Sequence, residues 1–236
     1  MRRHRLSIPS ALRNFLAVGV FLGLQATGAL LASNPNPGIV PPHSRPHGMT
    51  YGEWGARWWQ WVFSIPAASN PVLDSTGAYC GVGQSGGVWF LAGTFGGDAT
   101  RNCTVPPGRM LFFPIVNVEC STLEGNGATE AALRACANGW INDNLAVATL
   151  SATIDGVPVQ NLGSYRAESP LFTFTLPPGN VFEFFGIPAP AGTTSPAVAD
   201  GIWLMLTPLP AGNHTVSFNI AGPIFSLAIN YNLTVQ

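Results

Sequence analysis

Lysine is absent from this 236-residue chain, and charge of either sign is scarce: ten arginines and eleven acidic residues amount to 9% of it. Such a chain cannot build the dense basic surface that nucleic-acid phosphates require, so nucleic acid is excluded as a partner. Anionic lipid is excluded on the same ground. Long apolar runs are also missing. The stretch FLAVGVFLGL at residues 15–24 falls short of the ~20 residues that a helix needs to cross a bilayer. Cysteine is sparse, four in all, and no two stand in a C-x-x-C spacing, which removes a zinc cage and a redox dithiol. No residue set asks for a metal or a cofactor.

What is present begins with a leader. Arg2, Arg3, Arg5 and Arg13 precede the apolar stretch, and the small residues Ala26, Gly28, Ala29 and Ala32 follow it. That order predicts a secretory signal peptide over residues 1–32, cut between Gly28 and Ser33, with no span after cleavage. Four of the ten arginines leave with it, so six face eleven acids and the exported part carries a net charge of about −5. Cys80, Cys103, Cys120 and Cys136 all lie in that part, where an oxidising compartment predicts two disulfides. Of the three pairings open to four cysteines, the neighbours Cys80–Cys103 and Cys120–Cys136 are preferred, because each staples a short loop. The protein is expected to be secreted, periplasmic or cell-surface.

Residues 33–50 are rich in proline (NPNPGIVPPHSRPHG) and read as an extended lead-in. His43 and His47 lie four apart there on no helix, and read as two solvated side chains. The next segment, YGEWGARWWQWVF, predicts a helix over 51–64 that ends before Pro66. At 100° per residue Trp54, Trp58, Trp61 and Ile65 form one stripe, which Tyr51, Trp59, Val62 and Phe63 widen. Glu53, Arg57 and Gln60 share what remains. A helix so apolar belongs inside, and its rings read as a wedge that closes a core.

Beyond Pro71 the texture is strand and turn. Strands are predicted at 88–95, 110–118, 171–177, 181–187, 201–209, 214–220 and 225–235, with a hairpin at Asp155-Gly156. A second helix is predicted over 128–146, with Gly139 a candidate break, and the longest loop over 188–200. The whole predicts a mainly-β, antiparallel sandwich of immunoglobulin-like or jelly-roll-like type, a single domain over 51–236 carrying the tryptophan-rich helix.

Chemistry is harder to find. GVGQSGG at 81–87 satisfies a dinucleotide pattern and a nucleophile-elbow pattern through Ser85, with Asp200 and His214 downstream. Both patterns need a helix after the glycines, and a strand follows instead, so the segment reads as a glycine-rich turn beside a disulfide. Glu53 and Arg57 are spaced for a helical ion pair. With Asn117 and Glu119 they form the candidate polar cluster, read chiefly as structural and otherwise as a ligand-binding or acid/base site. Asn102, Asn213 and Asn232 each open an N-x-[ST] triplet.

The segments YGEWGARWWQW, CGVGQSGGVWFLAGTF, RMLFFPIVNVEC and DGIWLMLTPLPAGNHTVSF, with the closing YNLTV, resemble a family of uncharacterised exported bacterial proteins. The closing strands are similar to those of immunoglobulin-like modules. The resemblance implies export and says nothing of activity. The expectation is an exported, disulfide-stapled sandwich with a non-catalytic binding or surface role toward an extracellular ligand or a surface glycan. The alternative is an extracellular glycan-directed hydrolase or lyase built on Glu53, Arg57 and Glu119.

Overall fold

The computed structural model describes Asn36 and residues 38–236, so the leader expected over 1–32 lies outside the described residues. Helix α1 spans Tyr51–Phe63, and strands β1 (Val88–Phe90), β2 (Gly97–Val105) and β3 (Met110–Ser121) follow. Helix α2 (Glu130–Leu145) precedes β4 (Thr149–Ile154), β5 (Val157–Pro158), β6 (Arg166–Glu168) and β7 (Phe172–Thr175). A short α3 (Val181–Phe184) leads to β8 (Thr194–Leu206), β9 (Gly212–Ala221) and β10 (Ser226–Val235).

The strands form two sheets. One runs β1-β3-β8-β6 with β7 also paired to β8, and the other runs β2-β10-β9-β4-β5. The expected sandwich is present, but β1 lies parallel to β3 and β2 parallel to β10, so its sheets are mixed and not wholly antiparallel. Their burial patterns differ for a simple reason. In the β2-β10-β9 sheet buried and exposed residues alternate, as Ala99, Arg101, Cys103 and Val105 do along β2, because one face meets water. β3 and β8 are buried almost continuously, because helices α1 and α2 cover the face of their sheet that the other sheet does not. Adjacent residues of β3 show both faces at work. Phe113 stacks on Phe218 of the opposite sheet at 5.2 Å between ring centroids, while Phe112 stacks on Trp203 at 5.3 Å and meets Tyr51 and Trp54 of α1. Pro114, which has no N–H to give the ladder, sits where the β3–β8 register shifts.

Helix α1 starts with a capping box. The Thr50 hydroxyl accepts from Glu53 N–H, and the Glu53 carboxylate accepts from Thr50 N–H at 2.6 Å. Its two early glycines lower intrinsic helix stability, yet the packing demands them. A Cβ on Gly52 would fall 2.0 Å from the Glu168 carbonyl oxygen of β6, and one on Gly55 would fall 3.0 Å from the Trp203 ring. The indoles are inside: Trp58, Trp59 and Trp61 are buried and Trp54 is half-buried.

Both preferred disulfides are formed, Cys80–Cys103 and Cys120–Cys136. The second ties α2 to β3, where Leu133, Ala137 and Val198 make a small separate core. α2 runs unbroken through Gly139. The Asp155-Gly156 hairpin forms, with both residues at positive φ as its two-residue turn requires.

Three expectations are corrected, and one strand is added. VFEFFGI is not a strand, because Asn180 accepts from the N–H groups of Phe182 and Glu183 and starts a helical turn there. The strand predicted at 88–95 stops at Phe90, since the carbonyls of Ala92 and Gly93 turn to meet Arg101. The predicted loop at 188–200 is half strand, as β8 begins at Thr194. GDATRNCTV, for which no element is predicted, is β2, whose inward arginine interrupts the apolar alternation. In the lead-in, Ile39 bridges Leu206, and Asn36 bonds to the Gln160 carbonyl and the Tyr165 hydroxyl.

Candidate functional site

Where the wedge helix meets α3 and the β3 end of the sheet, the packing leaves a cavity of about 370 Å³. Trp58, Trp59 and Phe63 of α1 form one wall, and Phe182, Phe185 and Ile187 the wall beside it. Trp140 of α2 and Phe225 close a third side, their rings 5.5 Å apart and edge to face. Asn117, Val118 and Glu119 of β3 enter from the sheet, with Glu124 from the loop after it. At the rim Phe95 and Phe185 meet edge to face at 5.0 Å and remain about half exposed.

The walls are held rigidly. Asn180, fully buried, donates to the carbonyls of Pro177 and Ala189 and so fixes α3. Arg101, 1% exposed, fixes the Gly93 wall: its guanidinium donates to the carbonyls of Asp74, Ala92 and Gly93 and to the Tyr231 hydroxyl, and lies over the Tyr231 ring. Burial raises the Tyr231 phenol above its ordinary value, against the pull of Arg101, so the hydroxyl stays protonated. Sequence reasoning missed Arg101. The signal was its inward parity between Ala99 and Cys103.

The cavity holds two acids, Glu119 and Glu124, and neither an arginine nor a histidine lines it. Glu119 is buried, and desolvation pushes its carboxyl well above the usual carboxylate range; the nearby charge of Glu124 pushes it further. Glu124 in turn accepts from the Ser121 hydroxyl at 2.9 Å. Three polar atoms of the wall residues have no hydrogen-bond partner among the described residues: Trp59 Nε1, Asn117 Nδ2 and Glu119 Oε1. The indoles of Trp58 and Trp61, by contrast, donate to the Leu91 and Val82 carbonyls. A buried polar group left alone costs about 1–3 kcal/mol, so three on residues that line one cavity mark a place built for something else to complete.

The candidate cluster therefore divides. Asn117 and Glu119 share the cavity, with Glu124 as a third polar member that sequence reasoning missed in the loop STLEGNG. Glu53 caps α1 and pairs with Arg45, not Arg57, at 3.5 Å. Its carboxyl is held below its ordinary value by hydrogen bonds from Thr50. Arg57 is exposed and lines a different groove, with Ser85 and Gly86. Ser85, Asp200 and His214 go separate ways, since Asp200 pairs with Arg166 at 2.5 Å and His214 with Asp155 at 2.8 Å. His47 packs edge to face on Trp54. Asn102 and Asn232 bond to each other on the solvent face of the β2–β10 pair, and Asn213 bonds to Thr234 beside them. Their triplets are what strand alternation writes when both outward positions carry Asn or Thr.

No protein-family profile and no curated protein matches the chain. Two solved structures show a distant similarity. The structure of PbICP-C in complex with falcipain-2 aligns at 9% identity over 64% of this chain and 100% of that one, with a TM-score of 0.24. The solution structure of Amebosin aligns at 9% identity over 60% of this chain and 98% of that one, with a TM-score of 0.18. Neither superposition is close enough to carry an argument about fold or function.

Proposed function

We propose that this is an exported, non-catalytic protein that holds a small, mainly apolar molecule in the aromatic cavity between α1, α3 and β3. The observation that carries the reading is the coincidence of a preformed apolar cavity with three unpartnered polar atoms in its walls, the composition of a small-molecule site. Two disulfides in a β-rich fold support export. No described helix is long and apolar enough to cross a membrane.

A surface glycan fits the cavity poorly. Each sugar hydroxyl needs a partner, and walls of Trp, Phe, Val and Ile would leave most of them dry. The hydrolase reading loses Glu53 and Arg57, which line no part of this cavity, and keeps Glu119 with Glu124.

The neutral fluorophore N-phenyl-1-naphthylamine tests the reading. Its emission should rise saturably, at about one probe per chain. Thr94→Trp, which fills the cavity, should abolish the rise, while Arg57→Ala should leave it intact. A rise that never saturates, or one indifferent to Thr94→Trp, overturns the proposal.

A further inference from the structure

We infer that the ligand is an organic ammonium ion with an apolar body, recognised by the aromatic walls and by Glu119. The inference rests on the cavity's being a binding site and adds the charge of what it binds. Lined by two acids and no base, the cavity repels an anion and supplies no counter-charge of its own. Aromatic faces surround those acids. Trp58, Trp59, Phe63, Trp140 and Phe182 line the same cavity as those acids, and an aromatic ring attracts a cation that reaches its face. Glu119 Oε1 is buried without a partner and accepts a hydrogen bond as soon as an N–H arrives. Trp59 Nε1 and Asn117 Nδ2 are donors, and an oxygen acceptor beside the ammonium group, as in an amino alcohol, would satisfy them.

The proton balance follows from the same geometry. Burial and the charge of Glu124 make the Glu119 carboxyl hold its proton to higher pH than an ordinary glutamate. An ammonium ion brings the missing positive charge, so Glu119 ionises and its proton passes to solvent. Ammonium and neutral Glu119 go in; an ammonium–carboxylate pair and one solvated proton come out. Glu124 is the other titratable group lining the cavity, and it accepts from the Ser121 hydroxyl.

Calorimetry with benzylammonium, benzyl alcohol and benzoate at neutral pH, each in two buffers of different ionisation enthalpy, tests this. Benzylammonium should bind at least about tenfold more tightly than benzyl alcohol, benzoate should not bind, and benzylammonium alone should release up to about one proton per site. Glu119→Gln, which keeps the shape of the protonated acid, should remove the proton release and the preference for the cation. Equal affinity for benzylammonium and benzyl alcohol, or a preference for the cation that survives Glu119→Gln, sinks the ammonium assignment and leaves the binding site standing. Failure of all three ligands while N-phenyl-1-naphthylamine still binds also sinks it. Failure of that fluorophore as well removes the site beneath it.

Discussion

At the scale of single residues, two buried ionisable side chains set the character of the protein. Arg101 spends its donors on three backbone carbonyls and one phenol, so it serves as a clamp on the chain after β1. Arg101→Met would leave those acceptors dry and should cost about 3–5 kcal/mol in urea unfolding, with Tyr231 losing its cation as well. Glu119 acts in the opposite sense. The folded protein holds its proton more tightly than the unfolded chain, so this residue erodes stability as pH rises from the ordinary glutamate value of 4.5 toward the raised one. The unfolding midpoint of Glu119→Gln should therefore exceed that of the parent by a margin that widens with pH through that range. A margin that stays constant would contradict the assignment. Neither residue was legible as such from sequence. Glu119 was picked out by its place after an apolar run, but its true neighbour, Glu124, comes from a loop whose return no periodicity encodes. Arg101 sits in a strand so polar that its alternation carried no hydrophobic signal.

At the scale of elements, the signals that could be read were local ones. Helix α1 was legible because its aromatic stripe has a 3.6-residue period and Pro66 lies just beyond its end. The Asp155-Gly156 hairpin was legible because its turn requires positive φ. The strand expected at 181–187 failed because one buried asparagine outweighs a short apolar run that either structure could use. Two predictions belong here. Thr50→Ala removes half of the α1 capping box and should lower stability by about 1 kcal/mol in the same unfolding assay. In the β4–β5 turn, Asp155 accepts from Thr215 N–H at 2.7 Å and bonds to His214, whose pKa is raised above its ordinary value chiefly by that bond. The contact thus stabilises fully below the ordinary histidine value and fades as pH climbs through the raised one. Asp155→Asn should return the His214 titration, followed by NMR, toward 6.5.

At the scale of the whole molecule, the layering of helix, sheet and sheet explains both what was readable and what was not. A sheet covered on both faces gives continuous apolar strands, which the sequence displayed at 110–118 and 201–209. The parallel pairings of β1 with β3 and β2 with β10 join segments by distance in space and leave no mark in spacing. The disulfides close loops of 23 and 16 residues in separation, one beside the β1 turn and one under α2. Reduction of either should cost about 2–4 kcal/mol, read as a fall in the denaturant midpoint. The tryptophan wedge serves two purposes at this scale. It covers part of the outer face of one sheet, and beside its contact with α3 it leaves a lined cavity.

That cavity as the recognition site is the central claim, and intermolecular NOEs from a bound probe test it most directly. With N-phenyl-1-naphthylamine at saturation, its ring protons should show cross-peaks to the rings of Trp59, Trp140 and Phe182. Cross-peaks confined to Trp54 and Trp61, which face the separate groove beside Arg57, would contradict the account, as would none at all.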